Sequence, residues 1–324
     1  RMPNNTSHTK FIIMGFPELP EHQLTLFAIF ATIYLLTLVE NVLLIWTISL
    51  NQQLRTPMYF FLGNLSILEI FYVSVTMPKL FSILWSGENT ITFQDCLAQM
   101  YFFLSLASSE CFLLAAMAYD RYLAICYPLH YTSLMNHRTC VFLTTASWLS
   151  GFLASIPSVV MISRLQFCHE NTIGHFFCDI SPLLKLSCTD TSTIEVLDFV
   201  AALAVLITSV LVTSTSYICI FCTVAKLPSR KDKSKAFSTC VSHLTVVSMF
   251  YATTVFMYAR PKAIGTFDLN KPVSILYSVV APFLNPIIYS LRNREVRKTL
   301  SIAINQVVTF SGCFLTKRLK PLSN

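Results

Sequence analysis

The chain has 324 residues, of which 54% are hydrophobic and 12% charged, with a formal net charge of +7. Soluble proteins carry about 25% charged residues, so this composition excludes an ordinary pair of soluble domains, which the length alone would allow. The charges cluster between long neutral runs.

Taken in chain order, Arg1–Lys10 is polar, and the apolar run after it is too long for a cleaved signal peptide. That run is expected to act as its own anchor. Residues 24–50, 57–78 and 97–119 each hold one acid, namely Glu40, Glu69 and Glu110. Residues 139–163, 199–225, 236–259 and 273–291 contain no Asp, Glu, Lys or Arg. Each run meets the roughly 18–20 residues needed to cross a bilayer as a helix. The predicted fold is therefore an all-α membrane protein, a bundle of seven transmembrane helices. Residues 1–23 form the N-terminal segment, 24–291 the bundle and 292–324 the tail. Within the tail, 292–303 reads as a short amphipathic helix on the membrane surface. The longest loop, 162–193, joins the fourth and fifth spans; loops beyond about 12–15 residues usually have a function or are disordered.

Seven spans put the two ends on opposite sides. One side carries fifteen cations and three acids, and the other eight cations and ten acids. The positive-inside rule then predicts a cytoplasmic C-terminus, an extracellular N-terminus and a multi-pass plasma-membrane protein. Overlapping sequons at Asn4 and Asn5 fall on the predicted outer side. So do Cys96, Cys168, Cys178 and Cys188, where disulfides persist. Four cysteines allow three pairings; the reading favoured is Cys96 with Cys178 and Cys168 with Cys188.

An ionised acid at the bilayer centre costs about 2.5–3.5 kcal/mol on insertion scales. Glu69 and Glu110 are therefore expected to face the bundle interior, where two carboxyls share a proton or hold an ion such as Na⁺. Asn41 and Asn285 are candidates for the same polar core. Pro157, Pro282 and Pro286 lie in or near spans, where proline permits a kink. His175, Cys178 and Asp179 are close enough in sequence to suggest a metal site, but Cys178 is wanted for the disulfide, and neither metal nor cofactor is expected. The chain has no HExxH or GxSxG motif and no internal repeat, which argues against an enzyme and against a transporter or channel.

The motifs "LRTPMYFFLGNLSILEI" (54–70), "MAYDRYLAICYPLHY" (117–131), "SYICI" (216–220), "KAFSTCVSHLTVV" (235–247) and "PFLNPIIYSLRN" (282–293) stand in this order at consistent membrane depths. With Trp148 and the loop "HFFCDISPLLKLSC" (175–188), they resemble the odorant receptors of the rhodopsin-like G-protein-coupled class. The likeness covers roughly residues 10–300, and the loop composition resembles the terrestrial-type group. The chain departs from that pattern at Glu40, where the family usually has Gly, at Glu69 for Asp and at Val241 for Ala. Tyr251 stands where other rhodopsin-like receptors usually carry a Trp switch.

The resemblance implies a receptor for small volatile odorants that activates a stimulatory heterotrimeric G protein and raises cAMP, with membrane lipids as further partners and no nucleic acid. A receptor for a non-odorant small metabolite is the alternative. A mostly apolar pocket with a few polar groups is expected in the outer half of the bundle. Its candidate walls are Phe103, Leu104, Ala107, Ser108 and Cys111 on the third helix and Ala202, Val205 and Ile207 on the fifth. Tyr251, Thr254, Val255 and Tyr258 on the sixth, and Ser274 and Ser278 on the seventh, complete them. On the inner side, Arg121 is the expected G-protein contact, latched by Asp120 and flanked by Tyr122. Tyr217, His243 and Tyr289 are expected to re-pair with it when the sixth helix swings out.

Overall fold

The computed structural model describes residues 10–17, 19–167, 171–258 and 270–292. The long helices are α1 (Gln23–Leu50), α2 (Pro57–Ser86), α3 (Phe93–Cys126), α5 (His137–Ile162), α7 (Ser192–Ala225) and α8 (Arg230–Tyr258). α9 (Asn270–Ile275) runs through a π-helical turn, Leu276–Val280, into α10 (Ala281–Arg292). Two short helices, α4 (Tyr131–Leu134) and α6 (Ile180–Leu184), lie in connections. Among the described residues six segments are long and apolar enough to cross a membrane, and α8 holds a shorter apolar stretch, Cys240–Val255. These are the seven expected spans. Asn4, Asn5 and the expected amphipathic helix at 292–303 lie outside the described residues.

Local chemistry sets several helix boundaries. Pro57 opens α2, where its missing N–H costs nothing. Gly87 closes it at φ +69°, the left-handed position that favours glycine. Thr92 caps α3 by accepting from Asp95 N–H at 3.1 Å and donating to the Asp95 carboxylate at 2.6 Å. Asn136 caps α5 through Thr139 N–H at 3.0 Å.

One end of the bundle carries a small sheet that the all-α reading lacked. Strand β1 (Lys10–Ile13) pairs antiparallel with β2 (Thr90–Thr92) and parallel with β3 (Thr172–Ile173). Strands of two to four residues are too short for an alternation signal. Phe11 and Ile13 are fully buried, and Gly15, at φ +62°, turns the chain so that Phe16 stacks between Phe30 and Phe176. The Cys96–Cys178 disulfide lies in the same apolar cluster, and this end is called the disulfide end below. At the opposite end, where Asp120 and Arg121 lie, a second cluster packs Leu54, Phe61, Met117 and Leu123 around Met135 and Tyr289.

The third helix is central. Gly151 of α5 brings the two backbones together: a Cβ there would lie 2.5 Å from Ser109 N and 2.7 Å from the Ser105 carbonyl. Small residues serve close helix approach in membranes in this way.

Candidate functional site

At the disulfide end the loop before Cys178 turns into the bundle. His175, Phe176 and Phe177 are buried there. The Phe177 ring lies 4.6 Å from that of Phe103, which in turn lies 5.0 Å from Tyr72 and 5.7 Å from Tyr277. Leu104 and Ala107 pack on this cluster. His175 Nε2 is 3.2 Å from Ser274 Oγ, and Ser278 Oγ donates to the Ser274 carbonyl at 2.5 Å. Predicted residues of the third and seventh helices thus converge, under rings the sequence reading did not select. Gln99 holds the loop in place: its Oε1 accepts from Cys178 N–H at 2.9 Å, and its Nε2 donates to the Val75 carbonyl at 2.9 Å.

The other predicted walls divide. Cys111 is buried, while Ser108, Ala202 and Thr254 are half-buried; Thr254 Oγ1 donates to the Phe250 carbonyl of its own helix at 2.8 Å. Val205 and Tyr251 pack on the Arg121-end cluster. Two residues do not turn inward as expected. Ile207 is 47% exposed, in line with the exposed Leu203 and Leu211 one turn away on either side, so it faces the membrane. Val255 is 45% exposed. The side chain of Tyr258 lies outside the described residues. A polar crevice of about 540 Å³, bordered by Lys10, Lys79, Glu88, Asp95 and Gln99, opens beside the sheet and is lined by none of the predicted ligand contacts.

The disulfide Cys96–Cys178 is formed, with its Cα atoms 5.4 Å apart. Cys188 is also disulfide-bonded; its expected partner, Cys168, lies outside the described residues. The neighbouring backbones pair at Phe167 and Ser187. His175 and Asp179 take separate partners, since Asp179 Oδ1 accepts from Ile180 N–H at 2.9 Å. No metal-binding group of three such ligands occurs among the described residues. Loss of hydration raises the Asp179 pKa to about 6; the Ile180 N–H opposes the rise and the Asp198 carboxylate adds to it.

Midway along the bundle, Asn41, Glu69, Glu110 and Asn285 are all buried. Asn285 Nδ2 donates to Glu69 Oε1 at 2.6 Å, Asn41 faces the same carboxyl, and Glu110 and Glu40 interact with it electrostatically. The cluster has more acceptors than donors. Asn41 Oδ1, Asn285 Oδ1 and Glu40 Oε2 are buried with no hydrogen-bond donor among the described residues. A shared proton or a small cation fits such a set.

At the Arg121 end, the guanidinium folds back on its neighbour. Arg121 Nε lies 3.0 Å and Nη2 2.5 Å from Asp120 Oδ2, and Tyr131 O–H donates to Asp120 Oδ1 at 2.7 Å. Tyr122 is half-buried against the Tyr119 and Tyr127 rings. His243 is fully buried, with Nδ1 2.6 Å from Tyr217 OH and Nε2 3.1 Å from the Leu114 carbonyl. A carbonyl only accepts, so Nε2 carries the proton and Nδ1 accepts from the tyrosine, as a neutral imidazole requires. Tyr289 OH is buried without a hydrogen-bond partner among the described residues. The six predicted switch residues thus form an Asp120–Arg121 pair, a Tyr217–His243 pair and an unsatisfied Tyr289 hydroxyl, with Tyr122 beside them.

This fold is that of squid rhodopsin. The solved structure of that protein superposes with a TM-score of 0.68 over 87% of this chain and 80% of its own, at 16% sequence identity. The family profile described as "Olfactory receptor" matches residues 30–307. The chain belongs to the olfactory receptor family. It is 51% identical to olfactory receptor 6B1 of Homo sapiens over 299 residues, covering 92% of this chain and 96% of that one. It is 51% identical to olfactory receptor 226 of Rattus norvegicus over 306 residues, 92% and 94% of the two chains. The receptor is a multi-pass membrane protein of the G-protein-coupled class, not a member of an enzyme family.

Proposed function

We propose that the receptor lies in the plasma membrane with its N-terminus outside, binds small, mainly apolar odorants in the disulfide-end half of the bundle, and activates a stimulatory heterotrimeric G protein, raising cAMP. The observation that carries the reading is the ring cluster of Phe103, Phe177 and Tyr277 directly beside the buried hydroxyls of Ser274 and Ser278. Apolar burial supplies most of the affinity for such a ligand, and one or two hydroxyls orient an alcohol, aldehyde, ketone or ester. Ile207 and Val255 are omitted from this pocket on the strength of their exposure. The disulfide on one side and the surplus of cations on the other support the orientation. The basic segments 226–235 and 292–298 suit an anionic leaflet, at about 1 kcal/mol of attraction per charge.

In this reading the Asp120–Arg121 pair is a resting latch, and Glu69 and Glu110 form one buried polar site with Asn41 and Asn285. The test is a cell-based cAMP screen with a panel of volatiles, repeated with Arg121→Ala. The substitution abolishes the evoked signal while surface receptor remains measurable by antibody staining of intact cells. Undiminished signalling from Arg121→Ala refutes the assigned role.

A further inference from the structure

The polar crevice beside the sheet belongs neither to the ring cluster nor to the Arg121 end. Its volume, about 540 Å³, lies within the roughly 300–1,000 Å³ of small-molecule sites. Two cations, Lys10 and Lys79, and two acids, Glu88 and Asp95, line it. None of the four joins an ion pair among the described residues. Lys79 Nζ instead donates to the Glu88 and Thr90 carbonyls, at 3.0 and 2.6 Å, which leaves its third proton uncommitted and its charge uncompensated. The Asp95 carboxylate accepts from a neutral group, Thr92 Oγ1, at 2.6 Å. Helix geometry sets Lys79 and Asp95 at one height. Gln99 of α3 donates to the Val75 carbonyl of α2, and the short connection from Ser86 to Phe93 makes these helices antiparallel. Lys79 lies four residues after Val75 and Asp95 four residues before Gln99, so each stands about 6 Å nearer the sheet than that bond. A cation and an acid thus flank the crevice at the same level without meeting.

That level is where a bilayer changes from hydrocarbon to headgroups. Glu69 lies near the middle of α2, and Lys79 is ten residues further along, about 15 Å, or half of the roughly 30 Å hydrocarbon thickness. Below Lys79 the crevice wall is Val75 and Pro78. The same stripe of α2 continues as Phe71 and Ile67, both exposed; Ile67, Phe71 and Pro78 fall within about 40° of one another at 100° per residue. Charges therefore stand above an open apolar track, which is complementary to a phospholipid. A simple anion would meet Glu88 and Asp95, and a simple cation would meet Lys10 and Lys79, whereas a zwitterion satisfies both pairs. No aromatic residue lines the crevice, although quaternary ammonium groups are typically held in aromatic cages. A primary ammonium offers three donors, which the two carboxylates and the Thr90 and Thr92 hydroxyls can accept. We propose that the crevice holds the headgroup of an ethanolamine phospholipid, with its phosphate on Lys79 and Lys10 and its ammonium on Asp95 and Glu88. An acyl chain then runs along Pro78, Phe71 and Ile67. The inference draws on the membrane-spanning architecture alone and not on the odorant or G-protein assignments.

The test is native mass spectrometry of the full-length receptor, purified in detergent and titrated with phosphatidylethanolamine, phosphatidylcholine or phosphatidylglycerol of identical acyl chains. Half-saturation by phosphatidylethanolamine is expected at a concentration about tenfold below that for either of the others. Lys79→Met weakens its retention about tenfold, and Lys79→Arg, which keeps the cation, does not. Asp95→Asn, which keeps an acceptor for Thr92 Oγ1, removes the preference over phosphatidylglycerol. Lys185→Met, at an exposed lysine of the same end that does not line the crevice, changes nothing. Glycerophosphoethanolamine, the same headgroup without acyl chains, is expected to compete about a hundredfold more weakly than the lipid. Equal competition makes a soluble zwitterion the occupant and overturns the lipid. Retention of phosphatidylcholine or phosphatidylglycerol equal to that of phosphatidylethanolamine overturns the headgroup assignment, and equal losses in Lys79→Met and Lys185→Met overturn the site. The comparison of lipids on the wild-type receptor needs no substitution, so it decides the matter even where Lys79→Met fails to fold.

Discussion

Helices α3 and α7 are both 34 residues long, and they use their side chains in opposite ways. In the most apolar window of α3, 67% of the residues are buried inside the protein, against 17% for α7. Yet α7 is the more apolar helix. In water this would be a contradiction; in a bilayer it is expected, because lipid solvates apolar side chains and the protein interior takes the polar ones. Helix α3 accordingly buries Gln99, Ser105, Ser109, Glu110 and Asp120. It is held by a disulfide, by the close approach of Gly151 and by hydrogen bonds to other elements. Helix α7 turns one narrow stripe inward, hydroxyl-bearing at Ser209, Thr213 and Ser216, and leaves most of its other side chains to lipid.

That contrast predicts where substitutions are costly. The largest effect belongs to Cys178→Ser. Loss of a native disulfide typically costs about 2–5 kcal/mol, and this one fixes the loop that carries Phe176 and Phe177 to the start of α3. Cell-surface staining should fall to background while total protein stays detectable; normal export and response would break the link between α3 and the loop. Gly151→Ala comes next. Its methyl meets backbone atoms of α3, which cannot rotate away, and overpacking of this kind costs about 1–3 kcal/mol. Surface expression should drop severalfold, whereas an added methyl on the exposed face of α7 should leave it unchanged.

Asp179 tests the junction between the two helices, since it follows the disulfide that binds the loop to α3 and feels the charge of Asp198 on α7. Its pKa is raised in the folded protein, so the folded state binds the proton more tightly than the unfolded chain. The resulting stabilisation is present at low pH and is lost as pH rises from the ordinary value of 3.8 to about 6. Asp179→Asn keeps an efficient helix cap and removes the titration. Thermal unfolding of the purified receptor from pH 4 to 7 should show a wild-type decline of a few degrees that the variant lacks. Parallel curves would remove Asp179 as the cause.

The sequence made the spans legible because lipid demands uninterrupted apolar length, and it made Glu69, Glu110 and Asn285 conspicuous because such residues are expensive there. Helix ends were legible only in part. The run at 57–78 continues as helix to Ser86 through Pro78, and that at 97–119 extends from Phe93 to Cys126. A charge marks the edge of the apolar slab, while the backbone hydrogen bonds continue past it. The three strands were too short to leave a pattern. Gln99 on α3 was not selected, because a single amide in the first turns of a helix does not stand out; Phe176 and Phe177 were not selected and His175 was weighed only as a metal ligand, because a loop carries no periodicity to say which side chains turn in. Their one signal was adjacency to Cys96 and Cys178.

Ile207 shows the same limit on a helix, and it gives the smallest and most discriminating test. On a uniformly apolar helix, hydropathy does not reveal which face is buried, and Ile207 was expected in the pocket wall. The buried hydroxyls of α7 are Ser209, Thr213 and Ser216, and Ile207 lies about 160° from Ser209 at 100° per residue; Thr208, Ser214 and Thr215 on the exposed face mask that stripe in the sequence. Truncating a side chain that faces lipid removes no packing inside the protein. Ile207→Ala should therefore leave surface expression and the half-maximal odorant concentration within about twofold of wild type. Ala107→Leu, which adds bulk against the apolar cluster that holds Phe103, should shift that concentration by tenfold or more. If Ile207→Ala produced the larger shift, α7 would have to present its exposed face to the ligand, and the contrast between the two helices would fail.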